Sequence, residues 1–376
     1  MLVFGTRPEA IKMAPVYHAL KRYPTEFDSL VCVTAQHRQL LDQVLRVFEI
    51  TPDIDLNLMR QDQDLFDIAA TVLLGMRGVL QEHKPDALLV HGDTTTTFAS
   101  AVAGFYLGVP VGHVEAGLRT HNVYAPFPEE FNRQVATKVT RWHFSPTDIS
   151  RKNLLSEGVN DASVSVTGNT GIDALLWIMD RIESSPHRRE AITALLNERL
   201  SFDWRTRRIV LITGHRRENF GDGFLQICHA IRDLAARYPN VHYVFPVHPN
   251  PNVQAPVSDL LAGLGNVHLI EPLDYEPFVY LLKHSYIILT DSGGIQEEGP
   301  SLGKPVLVMR DVTERPEAVS AGTVRLVGAN RDKIVENIAE LLDSDASYKA
   351  MAQTHNPYGD GKAAERIISV LRSIPK

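Results

Sequence analysis

The sequence contains only two cysteines in 376 residues, Cys32 and Cys228. Two thiols build neither a disulfide framework nor a cysteine-rich zinc motif. Each lies in an apolar stretch, "LVCVT" and "LQICHAI", and is expected to be a small buried residue. Long hydrophobic runs are also missing. Nothing approaches the roughly 18–20 apolar residues of a membrane span, so no membrane partner is expected. The opening "MLVFGTRPEAIK" lacks the charged, apolar and small-residue regions of a signal peptide. A cytoplasmic protein is the expectation. An excess of positive charge is absent as well: the formal net charge is −7. A sequence-independent nucleic-acid binder is normally basic, so no nucleic acid is expected as a partner. The turn after the first apolar run is not GxGxxG, and no HExxH spacing occurs. The reading therefore includes no nicotinamide cofactor and no metal.

Hydrophobic residues make up 44% of the chain and charged residues 22%. Single cores stop growing at roughly 250–300 residues, so this length predicts two domains. Short Val/Ile/Leu runs alternate with longer amphipathic ones. Strands are expected at Leu2–Phe4, Leu30–Thr34, Ala87–His91, Val109–Val114, Trp142–Ser145 and Ser163–Thr167. In the second half they are expected at Ile209–Thr213, His242–Val247, Val267–Ile270, Tyr286–Thr290, Val306–Met309 and Thr323–Leu326. Helical patterns between them, such as Phe66–Gln81 and Thr96–Leu107, indicate parallel sheets covered on both faces. Two such blocks predict an α/β protein with two doubly wound, Rossmann-like domains. The expected division is residues 1–170 and 171–360, with a C-terminal helix in 361–376 crossing back to the first domain. The charged stretch Ser184–Arg208 reads as a surface helix and linker.

Ligands of open parallel sheets bind beyond the carboxyl ends of the strands. After the first strand, Gly5-Thr6-Arg7-Pro8-Glu9 leads into a helix carrying Lys12. Arg7 and Lys12 near a helix N-terminus form either an anion clamp or a solvated basic face. Asp93 follows the third strand, as a catalytic acid or a helix cap. Glu115 ends the fourth, where a carboxylate has little structural value unless paired. Glu129 and Glu130 follow a proline-rich loop as first-turn complements to the helix dipole, and Glu129 is the third candidate site acid beside Asp93 and Glu115. Several carboxylates in one cleft push their pKa values apart, giving a proton acceptor and a donor. In the second half, His215 follows a strand as a general acid/base, a phosphate ligand or a plain turn histidine. His248 sits in a rigid proline loop. The segment Asp291-Ser292-Gly293-Gly294-Ile295-Gln296-Glu297-Glu298 is the most specific local signal. Its bare turn admits a diphosphate, and Glu298 stands one helical turn in, suited to ribose hydroxyls. Arg315 in "DVTERPE" is either a phosphate group or a surface arginine.

The segments "VFGTRPEAIKMAP", "AQHRQLLDQVL", "HGDTTTT", "GHVEAGLRT", "PEEFNR", "TGHRREN", "HPNPNV", "LTDSGGIQEEGPSLGKPVLVMRDVTERPEA" and "NPYGDG" resemble, in order and nearly end to end, the bacterial non-hydrolysing UDP-N-acetylglucosamine 2-epimerases. The resemblance implies a GT-B fold with the active site in the cleft between its domains. It implies a homodimer that interconverts UDP-GlcNAc and UDP-ManNAc, supplying ManNAc units for cell-surface polysaccharide. The family reaction is anti elimination of UDP to 2-acetamidoglucal followed by re-addition. By motif matching, Arg7 and Lys12 fall on the family's basic pair, and Asp93, Glu115 and Glu129 on its catalytic acids. His215 falls on the catalytic histidine. Ser292, Gly293, Gly294 and Glu298 fall on the UDP site, with Phe278 near uracil and Arg315 near phosphate. Gln36, His37, Gln39 and His248 lie in or beside segments resembling an activator site. Leu273 stands where relatives often carry Gln. The rival readings are a hydrolysing epimerase, a GT-B glycosyltransferase and a non-catalytic sugar-nucleotide sensor.

Overall fold

The computed structural model describes residues 1–35, 38–58, 60 and 63–374. The chain forms two compact units. The first comprises Met1–Ala174 with Tyr358–Lys376, and the second comprises Leu175–Pro357.

The first unit contains seven strands: β1 (Leu2–Phe4), β2 (Val31–Val33), β3 (Ile54–Asp55), β4 (Leu88–His91), β5 (Val111–Val114), β6 (Thr140–Ser145) and β7 (Val164–Val166). They pair in the order β3-β2-β1-β4-β5-β6-β7, all parallel. The central strands are fully buried, as expected of a sheet with helices on both faces. Val3, Val90 and Val111 pack with Val72 and Met76 of the helix Leu65–His83 and Ala99 of the helix Thr95–Tyr106. The helix Ala363–Arg372 lies against the helix Arg7–Lys21. Its first amides are held by Asp173, which accepts from Ala363 N at 3.2 Å and Ala364 N at 2.8 Å.

The second unit contains six strands: β8 (Ile209–Thr213), β9 (His242–Pro246), β10 (Val267–Ile270), β11 (Ile287–Thr290), β12 (Val306–Val308) and β13 (Val324–Leu326). Their order is β10-β9-β8-β11-β12-β13, again all parallel. Val210, Ile212, Leu289 and Leu307 form its core with Phe224, Ile227 and Ile231 of the helix Asp222–Arg237. In each sheet the order reverses beside its first strand, between β1 and β4 and between β8 and β11. Loops leaving the strands at such a switch point diverge and open a crevice for ligands.

The two-sheet α/β architecture expected from the sequence is what the chain adopts, with differences at several elements. β3 is two residues long and half exposed, too short and too polar to give a strand signal. Leu30, Thr34, Ala87 and Val109 fall outside the strands, although the apolar pattern runs through them. Ser184–Arg208 contains the expected surface helix, but the rest of it is not a plain linker. That helix is Pro186–Arg199, and the turn after it drives Trp204 into the core at 1% exposure. Trp204 Nε1 donates to Asn197 Oδ1 at 2.9 Å, and its ring meets Tyr280 and His284 edge-on. The charge of this segment lies on the outer face of an anchored helix. No described helix is long and apolar enough to cross a membrane.

Candidate functional site

The turn after β1 is organised by a buried acid. Glu9, 2% exposed, caps its own helix. Its Oε2 accepts from Gly5 N (3.1 Å), Thr6 N (2.8 Å) and Thr6 Oγ1 (2.7 Å). Its Oε1 accepts from Thr94 Oγ1 at 2.7 Å, which ties the β1 turn to the β4 turn. Burial pushes the Glu9 carboxyl up from its ordinary range, and these donors oppose that. The Gly5 and Thr6 amides, which in a dinucleotide fold face a pyrophosphate, are already taken by Glu9. Arg7, the next residue, is partly exposed.

Past β4 and β5 the charged groups converge. Asp93 does not cap the helix Thr95–Tyr106; Thr94 does, accepting from Thr97 N at 3.1 Å. Asp93 instead pairs with Arg133 of the helix Glu129–Val139, and Asn132 Nδ2 of the same helix donates to the Asp93 carbonyl at 2.9 Å. Burial raises the Asp93 carboxyl above its ordinary value. Arg133 opposes that shift, while the charges of Glu115 and Glu129 add to it. Glu115 is held in the left-handed region at φ 64°, a conformation that strains a non-glycine backbone and persists where its surroundings impose it. Its carboxylate pairs with Lys12 and accepts from Asn169 Nδ2 at 3.1 Å. Lys12 and Glu115 side chains are 15% and 9% exposed, so this is a nearly buried ion pair. His91 Nε2 lies 3.8 Å from Glu115 Oε2. Burial drives the His91 pKa down to about 4, which makes it a neutral ring. Two residues beyond Glu115, Gly117 adopts φ 95°, and a Cβ there would meet Ser150 O at 2.3 Å. Only glycine fits that turn.

Glu129 opens its helix, partly buried. Its neighbour Glu130 is fully buried and structural, accepting from Thr120 N at 3.1 Å and Gln134 Nε2 at 2.8 Å and facing Arg133 at 3.3 Å. Beneath the cluster, His113 is buried with Nε2 at 2.7 Å from the Gly92 carbonyl, and its pKa falls to about 3 through burial.

The second unit builds a different centre. Asp291, directly after β11, is 0% exposed. Its Oδ2 accepts from His215 N (2.9 Å), Arg216 N (2.8 Å) and Asn219 Nδ2 (3.3 Å), which fixes the loop after β8. His215 Nδ1 lies 3.5 Å from Asp291 Oδ1. The His215 ring stacks on exposed His248 at 5.5 Å between centroids. Burial lowers the His215 pKa; Asp291 counters this, and Arg216 and His248 reinforce it. In the turn that follows, Ser292 N donates to Thr290 Oγ1 at 3.0 Å. The Arg315 guanidinium is tied by Nε to Glu297 Oε1 at 2.9 Å and by Nη1 to Glu314 Oε2 at 2.9 Å. It lies 3.4 Å from where a Cβ on Gly293 would stand. Glu298 is partly buried in the helix Ile295–Ser301, and Phe278 is partly buried in the helix Tyr275–His284.

The structure thus gathers Lys12, Asp93 and Glu115 into one cluster, with Glu129 near enough for its charge to act on Asp93. His215 and His248 meet in the other unit, as do Gly293 and Arg315. Gln39 is exposed near the start of the helix Arg38–Val47. Gln36 and His37 lie outside the described residues. Sequence reasoning did not single out Glu9, His91, Arg133, Asn169 and Asp291 as site residues. Asp291 stood inside a quoted motif and was legible as a strand-end acid. The others gain meaning only from spatial convergence. Both cysteines are buried, with thiols pushed up to about 12 by burial, and are inert as nucleophiles. Among the described residues no group of three or more His, Cys, Asp or Glu side chains is arranged to hold a metal ion.

Against this geometry, a family model described as UDP-N-acetylglucosamine 2-epimerase matches residues 18–372. The chain is 56% identical over 373 residues to the UDP-N-acetylglucosamine 2-epimerase of Yersinia pestis, covering 99% of this chain and 98% of that protein. It is 55% identical to that of Escherichia coli K12, with the same coverage. Among solved structures, the UDP-GlcNAc 2-epimerase of Neisseria meningitidis bound to UDP-GlcNAc matches with a TM-score of 0.90 and 51% identity, covering 98% of each chain. The enzyme of Methanocaldococcus jannaschii in complex with UDP-GlcNAc and UDP matches with a TM-score of 0.80 and 32% identity, also covering 98% of each chain.

Proposed function

The chain belongs to the UDP-N-acetylglucosamine 2-epimerase family, and from that premise we propose that it interconverts UDP-GlcNAc and UDP-ManNAc without releasing free sugar, as a homodimer and without metal or cofactor. The reading is anti elimination of UDP to 2-acetamidoglucal, then re-addition of UDP with the opposite configuration at C2, for cell-surface polysaccharide synthesis. The observation that carries it is the cluster of Asp93, Glu115 and Lys12 at one set of strand ends, in a chain whose second unit sets His215 on a buried carboxylate.

The C2 proton of the sugar is not alpha to a carbonyl, so its removal must be coupled to departure of the phosphate. That demands a carboxylate base for carbon and cationic groups for the leaving diphosphate. Asp93, raised by burial and by its acidic neighbours, suits the proton-exchanging member of the cluster. Glu115, paired with Lys12, suits a group that stays ionised. Arg7, His215 and Arg315 are the reading's groups for the phosphates. Ser292, Gly293, Gly294, Glu298 and Phe278 are its groups for uridine.

Proton NMR of the protein with UDP-GlcNAc in heavy water tests this. The expected result is UDP-ManNAc carrying deuterium at C2, with little free sugar. Free N-acetylmannosamine with UDP as the main products would reassign the chain to the hydrolysing reaction. No change in the substrate would remove the epimerase reading and favour a transferase or a sensor.

A further inference from the structure

The Asp291 carboxylate is unusual for its degree of burial. It is 0% exposed, and a buried carboxylate normally needs a counter-charge or a full set of donors. Oδ2 has three donors. Oδ1 is fully buried and has no hydrogen-bond partner among the described residues. The nearest cationisable group to it is His215 Nδ1 at 3.5 Å. No lysine or arginine forms an ion pair with Asp291 among the described residues; the pairing recorded for it is with His215.

The loop makes this approach a built feature. Asp291 N donates to the Thr213 carbonyl at 3.1 Å, and Thr213 Oγ1 and Thr290 Oγ1 are 2.6 Å apart, so the ends of β8 and β11 are fastened together. The same carboxylate that faces the imidazole also holds the His215 and Arg216 amides. The ring's backbone and one of its nitrogens are therefore referred to a single buried group. Which ring nitrogen of a histidine carries the proton is set by the hydrogen bond that the other one makes.

We propose that Asp291 is a positioning residue for His215: its Oδ1 takes the Nδ1–H of the imidazole, so that Nε2 is the nitrogen presented to a phosphoryl oxygen of the leaving UDP. The proposal rests on the reading of His215 as a phosphate-side group. In the elimination, Nε2–H of the imidazolium donates to the departing diphosphate, and in re-addition the same nitrogen takes that proton back. The imidazolium is favoured by Asp291 and disfavoured by Arg216 and by His248 stacked on it. Removing the carboxylate therefore makes His215 harder to protonate.

The test is nitrogen-proton correlation NMR of the histidine rings in the full chain, with the His215 signals identified by their loss in His215→Ala. In the unsubstituted protein near neutral pH the expected neutral form carries its proton on Nδ1. In Asp291→Asn the amide oxygen is kept by the two backbone amides, which turns the NH2 group toward Nδ1. The expected result is inversion to the Nε2–H tautomer and a lower titration midpoint. With it, kcat falls on the order of 10²–10⁴-fold, KM for UDP-GlcNAc stays within a few-fold, and the limb of the pH–rate profile that needs the imidazolium moves to lower pH. An Nε2–H tautomer in the unsubstituted protein overturns the proposal, and it decides the matter even where Asp291→Asn fails to fold. An unchanged tautomer in a folded Asp291→Asn overturns it equally. If the tautomer inverts but His215→Ala turns over normally, the pair stands as geometry. In that case the phosphate-side role of His215, and with it the assigned purpose of Asp291, is overturned.

Discussion

The two units share the order of six strands but hold the acids that follow those strands in different ways. In the first, charges face each other as side-chain pairs: Lys12 with Glu115, and Arg133 with both Asp93 and Glu130. In the second, Asp291 Oδ2 is held by two backbone amides and an asparagine and orders the loop after β8, while the buried Glu297 close by pairs with Arg315. A cluster of the first kind shifts proton affinities, because each member feels several neighbours. A centre of the second kind fixes geometry. One topology thus supports either, and the difference lies in a few residues of the loops and helices that follow the strands.

The sharpest way to break this contrast is Asp93→Asn. Turnover should fall on the order of 10³-fold, with UDP binding by calorimetry largely kept. Turnover within a few-fold of the unsubstituted protein removes Asp93 from the proton-transfer role. Next comes Lys12→Met, which takes the cation from a nearly buried pair. Urea denaturation should show a loss of about 3 kcal/mol; an unchanged midpoint would mean that the pair does not hold the two segments together. A third probe is pH. His91 and His113 have folded pKa values of about 4 and about 3 against an ordinary 6.5. The unfolded chain therefore takes up protons first as pH falls, so stability is lost below pH 6.5 and goes on falling until the depressed folded values are reached. Each ring should contribute a loss of about 2 kcal/mol by pH ~5. His113→Asn should flatten that slope in urea titrations at the two pH values. The smallest effect is expected on the second unit's side. Gly293→Ala sets a methyl 3.4 Å from the Arg315 guanidinium, a flexible group that shifts, so UDP affinity should weaken only a few-fold.

The legible part of the molecule was the part governed by short-range pattern. Leu2–Phe4, Ile209–Thr213 and Val267–Ile270 have the predicted bounds, because a buried parallel strand is written as a continuous apolar run. Leu30 and Val109 blurred the starts of their strands because the apolar run begins before the first strand residue. Trp204 was hidden because a charged helix precedes it and its partner Tyr280 lies 76 residues on. In the site, residue type and position after a strand pointed to Asp93, Glu115 and His215. They did not reveal that Arg133 opposes the rise in Asp93, or that Glu9 occupies the amides beside Arg7. Those relations join residues that the chain separates and the sheet order brings together.

Trp204 also makes the second unit an optical reporter of its own integrity. Of the three tryptophans, Trp142 belongs to β6 of the first unit and Trp177 to the helix Thr170–Ser184, both partly exposed, whereas Trp204 is sealed among Tyr280, His284 and Asn197. With Trp142 and Trp177 replaced by phenylalanine, the remaining indole would emit at the short wavelengths of an apolar enclosure. Its red shift in denaturant would time the opening of that unit alone.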